Sequence, residues 1–122
     1  LEYVPQRETF GAPLSSRQAI QWMLVDNDID IKQSLWIVLE AAEKAQRGDS
    51  FRKEAAMAKL VATEAGGRVV DRCMQMFGGL GVAKDLPLER WFREMRIRRI
   101  GEGPSEVQRH VIARELLGSS LR

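Results

Sequence analysis

The chain has 122 residues, which is the usual length of one domain with a single hydrophobic core. Hydrophobic residues make up 44% and charged residues 30%, and no stretch approaches 18 uninterrupted apolar positions, so the composition argues against disorder and excludes a helical membrane span. The 19 basic and 17 acidic residues leave a net charge of only +2, which makes no case for a nucleic-acid partner, and a single cysteine and a single histidine exclude cysteine-rich or histidine-based metal sites.

The first predicted helix covers about residues 15–47 and ends at Gly48. Its apolar residues recur three or four positions apart, and this spacing predicts the following inner face: Ile20, Met23, Leu24, Ile31, Leu35, Val38, Leu39 and Ala42. Further apolar residues lie outside that face: Trp22, Val25, Ile29, Trp36 and Ile37. Because this helix is apolar on more than one side, we expect part of its surface to contact another domain or subunit.

The second predicted helix covers about residues 51–77 and ends at the glycine-rich run 78–81. Small residues dominate its predicted inner face: Ala55, Ala58, Ala62, Ala65, Val69, Cys73 and Met76. Gly66 and Gly67 fall in mid-helix, where each glycine costs about 1 kcal/mol relative to alanine unless a neighbouring helix uses the missing side chain. We therefore expect a close helix–helix approach here, with Cys73 as a buried and unreactive thiol.

A third helix opens at Asp85 and Pro87 and runs to about Arg99, and a fourth begins after Pro104 and ends before Gly118. The residues predicted to face inward are Leu88, Trp91, Phe92 and Met95 on the third helix and Val107, Val111, Ile112 and Leu116 on the fourth. Because alternating apolar patterns are hard to find, no strand is predicted. The sequence thus predicts an all-α fold, an up-and-down four-helix bundle with two long and two shorter helices.

Five arginines crowd the third helix: Arg90, Arg93, Arg96, Arg98 and Arg99. Such a cluster suits a helical nucleic-acid-binding module, which is one alternative for the function. However, Glu89 and Glu94 interleave with the arginines at spacings that favour pairing within the helix. We therefore interpret this surface as a solvated or buttressing face.

Three features have residue types that suit a ligand site. Glu102 lies between two glycines just before a helix start, where a carboxylate can act as a general base or can simply interact with the helix dipole. The glycine-rich run 78–81 can admit a phosphate or a ring against bare backbone, or can merely cap the second helix. Arg7 can clamp a phosphate with its planar guanidinium, or can be a solvated surface arginine. The residues alone leave these alternatives open.

Taken in order, these segments resemble one known family. The blocks that carry the resemblance are 7–11, 56–59 with 64–65, 75–81, 89–94 and 102–109. At this order and spacing, the chain resembles the C-terminal helical domain of the flavin-dependent acyl-CoA dehydrogenases over essentially all of residues 1–122. The resemblance implies a larger subunit, with an N-terminal helical domain and a middle β-domain outside this sequence, and it makes residues 1–6 the tail of a helix. It also implies a homotetramer or homodimer, in which the surplus apolar surface meets a symmetry mate.

The resemblance further implies an activity and a site. Enzymes of this family oxidise acyl-CoA thioesters to trans-2-enoyl-CoA, and Glu102 matches the base that removes the α-proton while the β-hydrogen leaves as hydride to FAD. The contacts to the adenosine diphosphate half of FAD, made across the subunit interface, match Arg7, Phe10, Gln75 and Gly79. No metal is implied, and the electron acceptor would be one such as electron-transfer flavoprotein. The expected compartment is the cytoplasm in a bacterium, or the mitochondrial matrix or peroxisome in a eukaryote.

This sequence departs from the family pattern at three positions. Gly101 stands where many relatives have an aromatic residue, and Pro104 stands where many have threonine, which removes a hydroxyl and a backbone N–H. Asn27 interrupts the inner face of the first helix, where relatives are usually apolar. These departures leave open a flavin-binding relative with another substrate, or a domain retained for assembly. The 122 residues alone are expected to be inactive, because the β-domain and much of the acyl tunnel would lie outside them.

Overall fold

The computed structural model describes residues 1–120, and this part of the chain is almost entirely helical. The helices are α1 (Tyr3–Gln6), α2 (Gln18–Arg47), α3 (Arg52–Phe77), α4 (Gly79–Val82), α5 (Leu88–Ile100) and α6 (Ser105–Leu117), with short 3-10 turns at Leu14–Ser16 and Gly118–Ser120. The predicted all-α fold with two long and two shorter helices is confirmed. At 1.5 Å per residue, α2 is about 45 Å long and α3 about 39 Å long.

Helix α3 is the central element, since α2, α4, α5 and α6 all pack against it. The glycines in its middle explain the close approach of α5. A β-carbon at Gly66 would lie 2.8 Å from the Met95 sulfur, and one at Gly67 would lie 3.8 Å from the Arg99 side chain. The predicted close helix–helix approach is therefore confirmed at Gly66, whereas a β-carbon at Gly67 would make only an ordinary contact.

The predicted inner face of α2 is wrong over most of its length. Ile20 is buried as expected, but Ile31, Leu35, Val38, Leu39 and Ala42 are all exposed. Asn27, which was placed on the inner face as an interruption of it, is buried, and the other buried residues are Asp30 and Ala41. This strip contains polar groups that pack because arginines of α3 satisfy them.

The buried polar groups of α2 are held by two arginines of α3. Asp30 is only 7% exposed, and its two carboxylate oxygens accept hydrogen bonds from Arg68 at 2.6 and 3.1 Å and from Arg72 at 2.7 Å. The hydrogen bond from Arg68, helped by Arg72, lowers the pKa of Asp30 although burial opposes this shift. Arg72 also donates to the Asn27 side-chain oxygen at 3.1 Å. The α2–α3 seam is therefore ionic at its centre.

Cys73 lies beside this ionic seam. The Asn27 amide donates a hydrogen bond to the Cys73 sulfur at 3.7 Å. Cys73 is half-buried rather than buried as predicted, and burial raises the pKa of its thiol.

The inward faces of α5 and α6 are only partly as predicted. Leu88 is buried and Met95 half-buried, but Trp91 and Phe92 are exposed. On α6, Val111 and Ile112 are half-buried, whereas Val107 and Leu116 are exposed. Periodicity identifies the apolar positions of a helix, but it does not decide how many of them a single neighbouring helix can cover.

Two of the five arginines of α5 pair within their own helix. Arg90 lies 3.4 Å from Glu94, and Arg93 lies 2.9 Å from Glu89. These pairs are the (i, i+4) contacts that the spacing predicted.

A small β-hairpin, β1 (Glu8–Thr9) and β2 (Ala12–Pro13), was not predicted from the sequence. The two strands pair antiparallel over two residues each. Strands this short leave no alternating apolar pattern in the sequence. The segment before it is anchored by a small core in which Val4, Ile20 and Met76 are buried together. The rings of Tyr3 and Phe77 stack at a centroid distance of 4.0 Å, so the N-terminal segment is fixed against the end of α3.

Candidate functional site

Glu102 occupies a strained turn between α5 and α6. Its φ is +55°, a region that residues with a side chain seldom adopt, and Gly103 follows with φ +90°. The Glu102 side chain is exposed in this chain. Two consecutive residues with positive φ make a sharp turn, and the Glu102 side chain lies at the surface of that turn.

Two side chains hold the backbone of this turn. The Lys59 ammonium on α3 donates a hydrogen bond to the Gly103 carbonyl at 2.7 Å. The Gln108 amide on α6 donates to the Gly103 carbonyl at 3.0 Å and to the Glu102 carbonyl at 3.3 Å. A β-carbon at Gly103 would lie 2.7 Å from the Gln108 amide nitrogen, so a larger residue there would displace the end of that side chain from its contacts.

A second set of contacts ties both flanking helices to α3 through Glu64. The Ser105 hydroxyl, at the start of α6, donates to Glu64 at 2.6 Å, and Arg99 near the end of α5 pairs with the other carboxylate oxygen at 2.8 Å. The hydrogen bond from Ser105 and the charge of Arg99 lower the pKa of Glu64. The carboxylate is therefore held in its charged form, and the Glu102 turn is fixed on both sides.

Two of the three departures from the family pattern lie at the edges of this turn. Gly101 has φ −66°, so its backbone does not need glycine, and a β-carbon there would meet the Ile97 carbonyl at an ordinary contact distance of 3.5 Å. Pro104 lies just before α6 with φ −62°, a value that suits its ring. Glycine at position 101 is therefore not demanded by the turn itself.

Three of the four residues matched to FAD contacts line one groove. Arg7, Gln75 and Gly79 all border an open groove of about 490 Å³ between the N-terminal segment and the end of α3. Gly78 and Gly79 have nothing within 4 Å of the position of a β-carbon, so bare backbone is open to a ligand. A guanidinium, an amide and bare backbone N–H groups are donors that suit a pyrophosphate and an adenine ring, so these residues fit that part of FAD.

Phe10, the fourth of these residues, lies at the tip of the β1–β2 hairpin and is not among the residues that border this groove. Its φ is +50° and its side chain is 100% exposed. Arg17 donates hydrogen bonds to the Thr9 carbonyl at 2.6 Å and to the Phe10 carbonyl at 3.4 Å. The hairpin therefore presents an aromatic ring that contacts nothing else in the domain.

The two parts of the candidate site lie far apart on α3. Lys59, which contacts the Glu102 turn, and Gln75, which borders the groove, are separated by 16 residues of helix, or about 24 Å. Within residues 1–120, no three or more His, Cys, Asp or Glu side chains gather where a metal ion could bind. Nor does this described part contain a helix long and apolar enough to cross a membrane.

The sequence analysis assigned no role to Lys59, Glu64, Ser105, Gln108 or Arg17. Lys59, Glu64, Ser105 and Gln108 belong to blocks that carried the family resemblance, and that was the only signal available for them. Nothing local marks them, since Lys59 is 44 residues from the carbonyl that it contacts. Arg17 carried no signal in the sequence.

Comparison with known proteins identifies the family of this chain. Residues 1–117 match the model of the acyl-CoA dehydrogenase C-terminal domain. The chain is 44% identical over 117 residues to the mitochondrial short-chain specific acyl-CoA dehydrogenase of Bos taurus, covering 96% of this chain and 28% of that protein.

Solved structures agree with this match. Butyryl-CoA dehydrogenase from Megasphaera elsdenii superposes with a TM-score of 0.92 at 40% identity, covering 95% of this chain and 30% of that one. PigA, in its complex with FAD, superposes with a TM-score of 0.91 at 28% identity, covering 94% of this chain and 30% of that one. The chain thus spans about 30% of the length of these relatives, and it belongs to the acyl-CoA dehydrogenase family, as a C-terminal domain.

Proposed function

We propose that this chain is the C-terminal domain of a larger flavoenzyme subunit that oxidises acyl-CoA thioesters to trans-2-enoyl-CoA. Glu102 is the base in this proposal, and it removes the α-proton of the thioester. FAD, when bound, would supply the acceptor for the β-hydrogen. The observation that carries the proposal is the strained turn, in which a glutamate with φ +55° is held by contacts from two other helices.

Strain of this kind costs of order 1–3 kcal/mol and persists only where the surroundings impose it. A solvated glutamate that merely interacts with a helix dipole needs no such conformation. The turn instead fixes the position of the Glu102 backbone, from which the side chain extends. The carboxylate can therefore lie within hydrogen-bond reach of a bound thioester. The backbone N–H of Glu102 is a candidate donor to the thioester carbonyl, where it would stabilise the negative charge that develops as the proton leaves.

A weakly acidic α-proton requires a base in a water-poor pocket, because water would stabilise the carboxylate and weaken it as a base. Glu102 is exposed in this chain, so the walls that exclude water must come from elsewhere. In this proposal they come from the N-terminal and middle domains and from FAD itself. For the same reason, we expect the 122 residues alone to show no catalysis and little flavin binding.

The second part of the proposal concerns the cofactor's adenosine diphosphate half. Arg7 would bind its pyrophosphate, and Gln75, Gly79 and Phe10 would contact the remainder. The shared groove of Arg7, Gln75 and Gly79, and the separation of about 24 Å from the Glu102 turn, support contacts to the FAD of a partner subunit.

The proposal includes a homo-oligomer, either a tetramer or a dimer. The exposed face of α2 supports it, because Trp22 is 60% and Trp36 is 69% exposed, and large apolar side chains of this kind are seldom left in water together. The electron acceptor would be one such as electron-transfer flavoprotein. Relatives from bacteria and from mitochondria fit a cytoplasmic or a mitochondrial enzyme.

The test uses the complete protein and the variant Glu102→Gln. Glutamine keeps the size of the side chain but cannot accept the α-proton, so we expect FAD to stay bound and yellow while acyl-CoA-dependent bleaching slows about 10²- to 10⁴-fold. Stopped-flow absorbance with acyl-CoA thioesters of several chain lengths measures this rate. Unchanged bleaching in the variant would remove Glu102 from the role of base.

Gly101 and Pro104 favour one second candidate, a flavin-binding relative that acts on another substrate. Both residues border the base and differ from the common family pattern. The same experiment separates the two candidates, since that relative would hold yellow FAD in the wild-type protein but would be bleached by no acyl-CoA thioester of any length.

A further inference from the structure

The backbone of the Glu102 turn is held by donors that do not touch the Glu102 carboxylate. Lys59 and Gln108 supply three hydrogen bonds to two consecutive carbonyl groups, those of Glu102 and Gly103. Lys59 lies on the central helix and is half-buried, and Gln108 lies one turn into α6. The turn therefore depends on α3, which is distant from it in sequence, and on the first turn of the helix that follows it.

We propose that Lys59 and Gln108 form a carbonyl clamp that positions Glu102 for proton abstraction. The inference rests on the proposed function, in which Glu102 is the base. Lys59 and Gln108 are positioning residues, because they act on the carboxylate only through the backbone.

The clamp opposes the tendency of Glu102 to relax. A residue with a β-carbon is disfavoured in the left-handed region, so the turn tends to unwind unless other contacts hold it. A hydrogen bond from a charged donor is stronger than one between neutral groups, and the Lys59 contact at 2.7 Å is of this kind. This bond therefore favours the strained conformation of Glu102 over the relaxed one.

The Lys59 ammonium contacts the main chain rather than a carboxylate. Most lysines at partly buried positions pair with a carboxylate, as Lys44 does with Glu54 at 2.7 Å. Lys59 instead donates to the main-chain carbonyl of Gly103, in the turn between α5 and α6. Gly103 also fits the clamp closely, since a β-carbon there would collide with the Gln108 amide.

The first experiment measures the turn itself, in the complete protein. The Gly101 and Gln108 N–H groups, bonded to the Ile97 and Pro104 carbonyls, flank the turn and report on it by hydrogen exchange. We expect Lys59→Met, which removes one charged bond, and Gln108→Met, which removes two neutral bonds, each to speed the exchange of a peptide covering residues 100–108 about tenfold. Lys44→Met is the matched control, because it removes an equally short bond far from the turn and leaves this peptide unchanged.

The second experiment measures turnover in the same variants. Misplacing the base lowers kcat, whereas binding of the thioester is retained, so we expect kcat to fall about tenfold to a hundredfold while KM stays within about threefold. Lys59→Arg keeps a cationic donor and should recover most of kcat, which a loss of general stability would not explain. Lys44→Met should keep the wild-type kcat.

Two results overturn the clamp. One is unchanged exchange over residues 100–108 in both Lys59→Met and Gln108→Met, and the other is faster exchange with a wild-type kcat. Failure of the clamp proposal can be distinguished from failure of the proposed function. A wild-type-like Lys59→Met beside an inactive Glu102→Gln overturns only the clamp, whereas a Glu102→Gln variant that still turns over overturns the proposed function.

Discussion

Two turns of this domain share one unusual conformation. Phe10 in the β1–β2 hairpin and Glu102 between α5 and α6 are the two non-glycine residues with positive φ among residues 1–120, and each is followed by a glycine with positive φ. Each turn also has carbonyls held by a long cationic side chain, Arg17 in the hairpin and Lys59 at the Glu102 turn. Both turns belong to the proposed site.

The turns differ in where their support comes from. Arg17 is eight residues from the Thr9 carbonyl that it holds, so the hairpin is stabilised by its own stretch of chain. Lys59 is 44 residues and Glu64 is 41 residues from their partners at the Glu102 turn. The hairpin is thus a local structure, whereas the shape of the Glu102 turn is a property of the packed helices. Substitutions in the helices that support the Glu102 turn should therefore alter the conformation of that turn and leave the turn at Phe10 unchanged.

The largest expected difference is in the stability lost when alanine replaces Gly103 or Gly11, the glycines that follow Glu102 and Phe10. Gly103→Ala forces a β-carbon against the Gln108 amide at positive φ, so we expect a loss of about 2–4 kcal/mol in the free energy of unfolding. Gly11→Ala meets the same backbone penalty in open space, so its loss should be about 1 kcal/mol. Urea unfolding followed by tryptophan fluorescence measures both, and equal losses would contradict the different packing of the two turns.

A smaller effect is expected from Glu64→Gln, and it should depend on pH. At neutral pH the variant loses charged contacts with Ser105 and Arg99, worth about 1–2 kcal/mol. Because the pKa of Glu64 is lowered in the folded protein, this stabilisation is complete above the ordinary value of 4.5 and is lost as pH falls through the lowered value. The difference in unfolding free energy between wild type and variant should therefore shrink in acid.

The hairpin provides the control for this pH dependence. Its contact joins a guanidinium to carbonyl groups, and neither changes charge between about pH 3 and pH 8. The difference between wild type and Arg17→Met should accordingly stay constant over the range in which the Glu64→Gln difference closes. A Glu64→Gln difference that does not change with pH would mean that the carboxylate's charge does not hold the turn.

Arg17→Met should itself cost about 1 kcal/mol, the usual value of one or two partly exposed hydrogen bonds. We expect faster hydrogen exchange confined to residues 8–14, with the Glu102 turn unaffected. Arg47→Met is a suitable control, since Arg47 makes only exposed ion pairs with Glu43 and Asp49 and should cost less than about 0.5 kcal/mol. Faster exchange that spreads into residues 100–108 would show that the hairpin is not an independent unit.

The smallest effect on stability is expected from Phe10→Asn. The ring is fully exposed and asparagine tolerates positive φ, so the free energy of unfolding should stay within about 0.5 kcal/mol of wild type. In the complete protein the same variant should nevertheless bind FAD more weakly, because the ring is proposed to contact the cofactor. Isothermal titration of the apoprotein with FAD measures this, and unchanged affinity would remove Phe10 from the cofactor site.

Local signals predicted the helices well. Gly48 and Gly78 end α2 and α3 as expected, and the mid-helix glycine at 66 correctly indicated close packing. These features depend on neighbouring residues, so the sequence contains them directly. The buried strip of α2 was different, because burying Asp30 is favourable only when Arg68 and Arg72 face it from another helix. A polar residue in an apolar pattern reads as an exposed position, and the pattern alone therefore selected the wrong face.

The candidate site divides in the same way. The glycines around Glu102 and the arginine at position 7 can be read from the sequence. The family resemblance implied a role for Glu102 and for Arg7. The contacts of Lys59 and Gln108 with the turn could not be predicted, because they depend on how three helices meet. The exposure of Trp91 and Phe92 was missed for a related reason, since a periodic pattern does not state which surface covers an apolar side chain.

The most direct test of the central claim follows the α-proton itself. An acyl-CoA analogue with sulfur or oxygen at the β-position has no β-hydrogen to transfer, so in deuterium oxide the complete protein can only exchange its α-hydrogens. Proton NMR should show their loss with the wild-type protein and a rate about 10²- to 10⁴-fold lower with Glu102→Gln. Equal exchange by the two proteins would show that another group removes the proton.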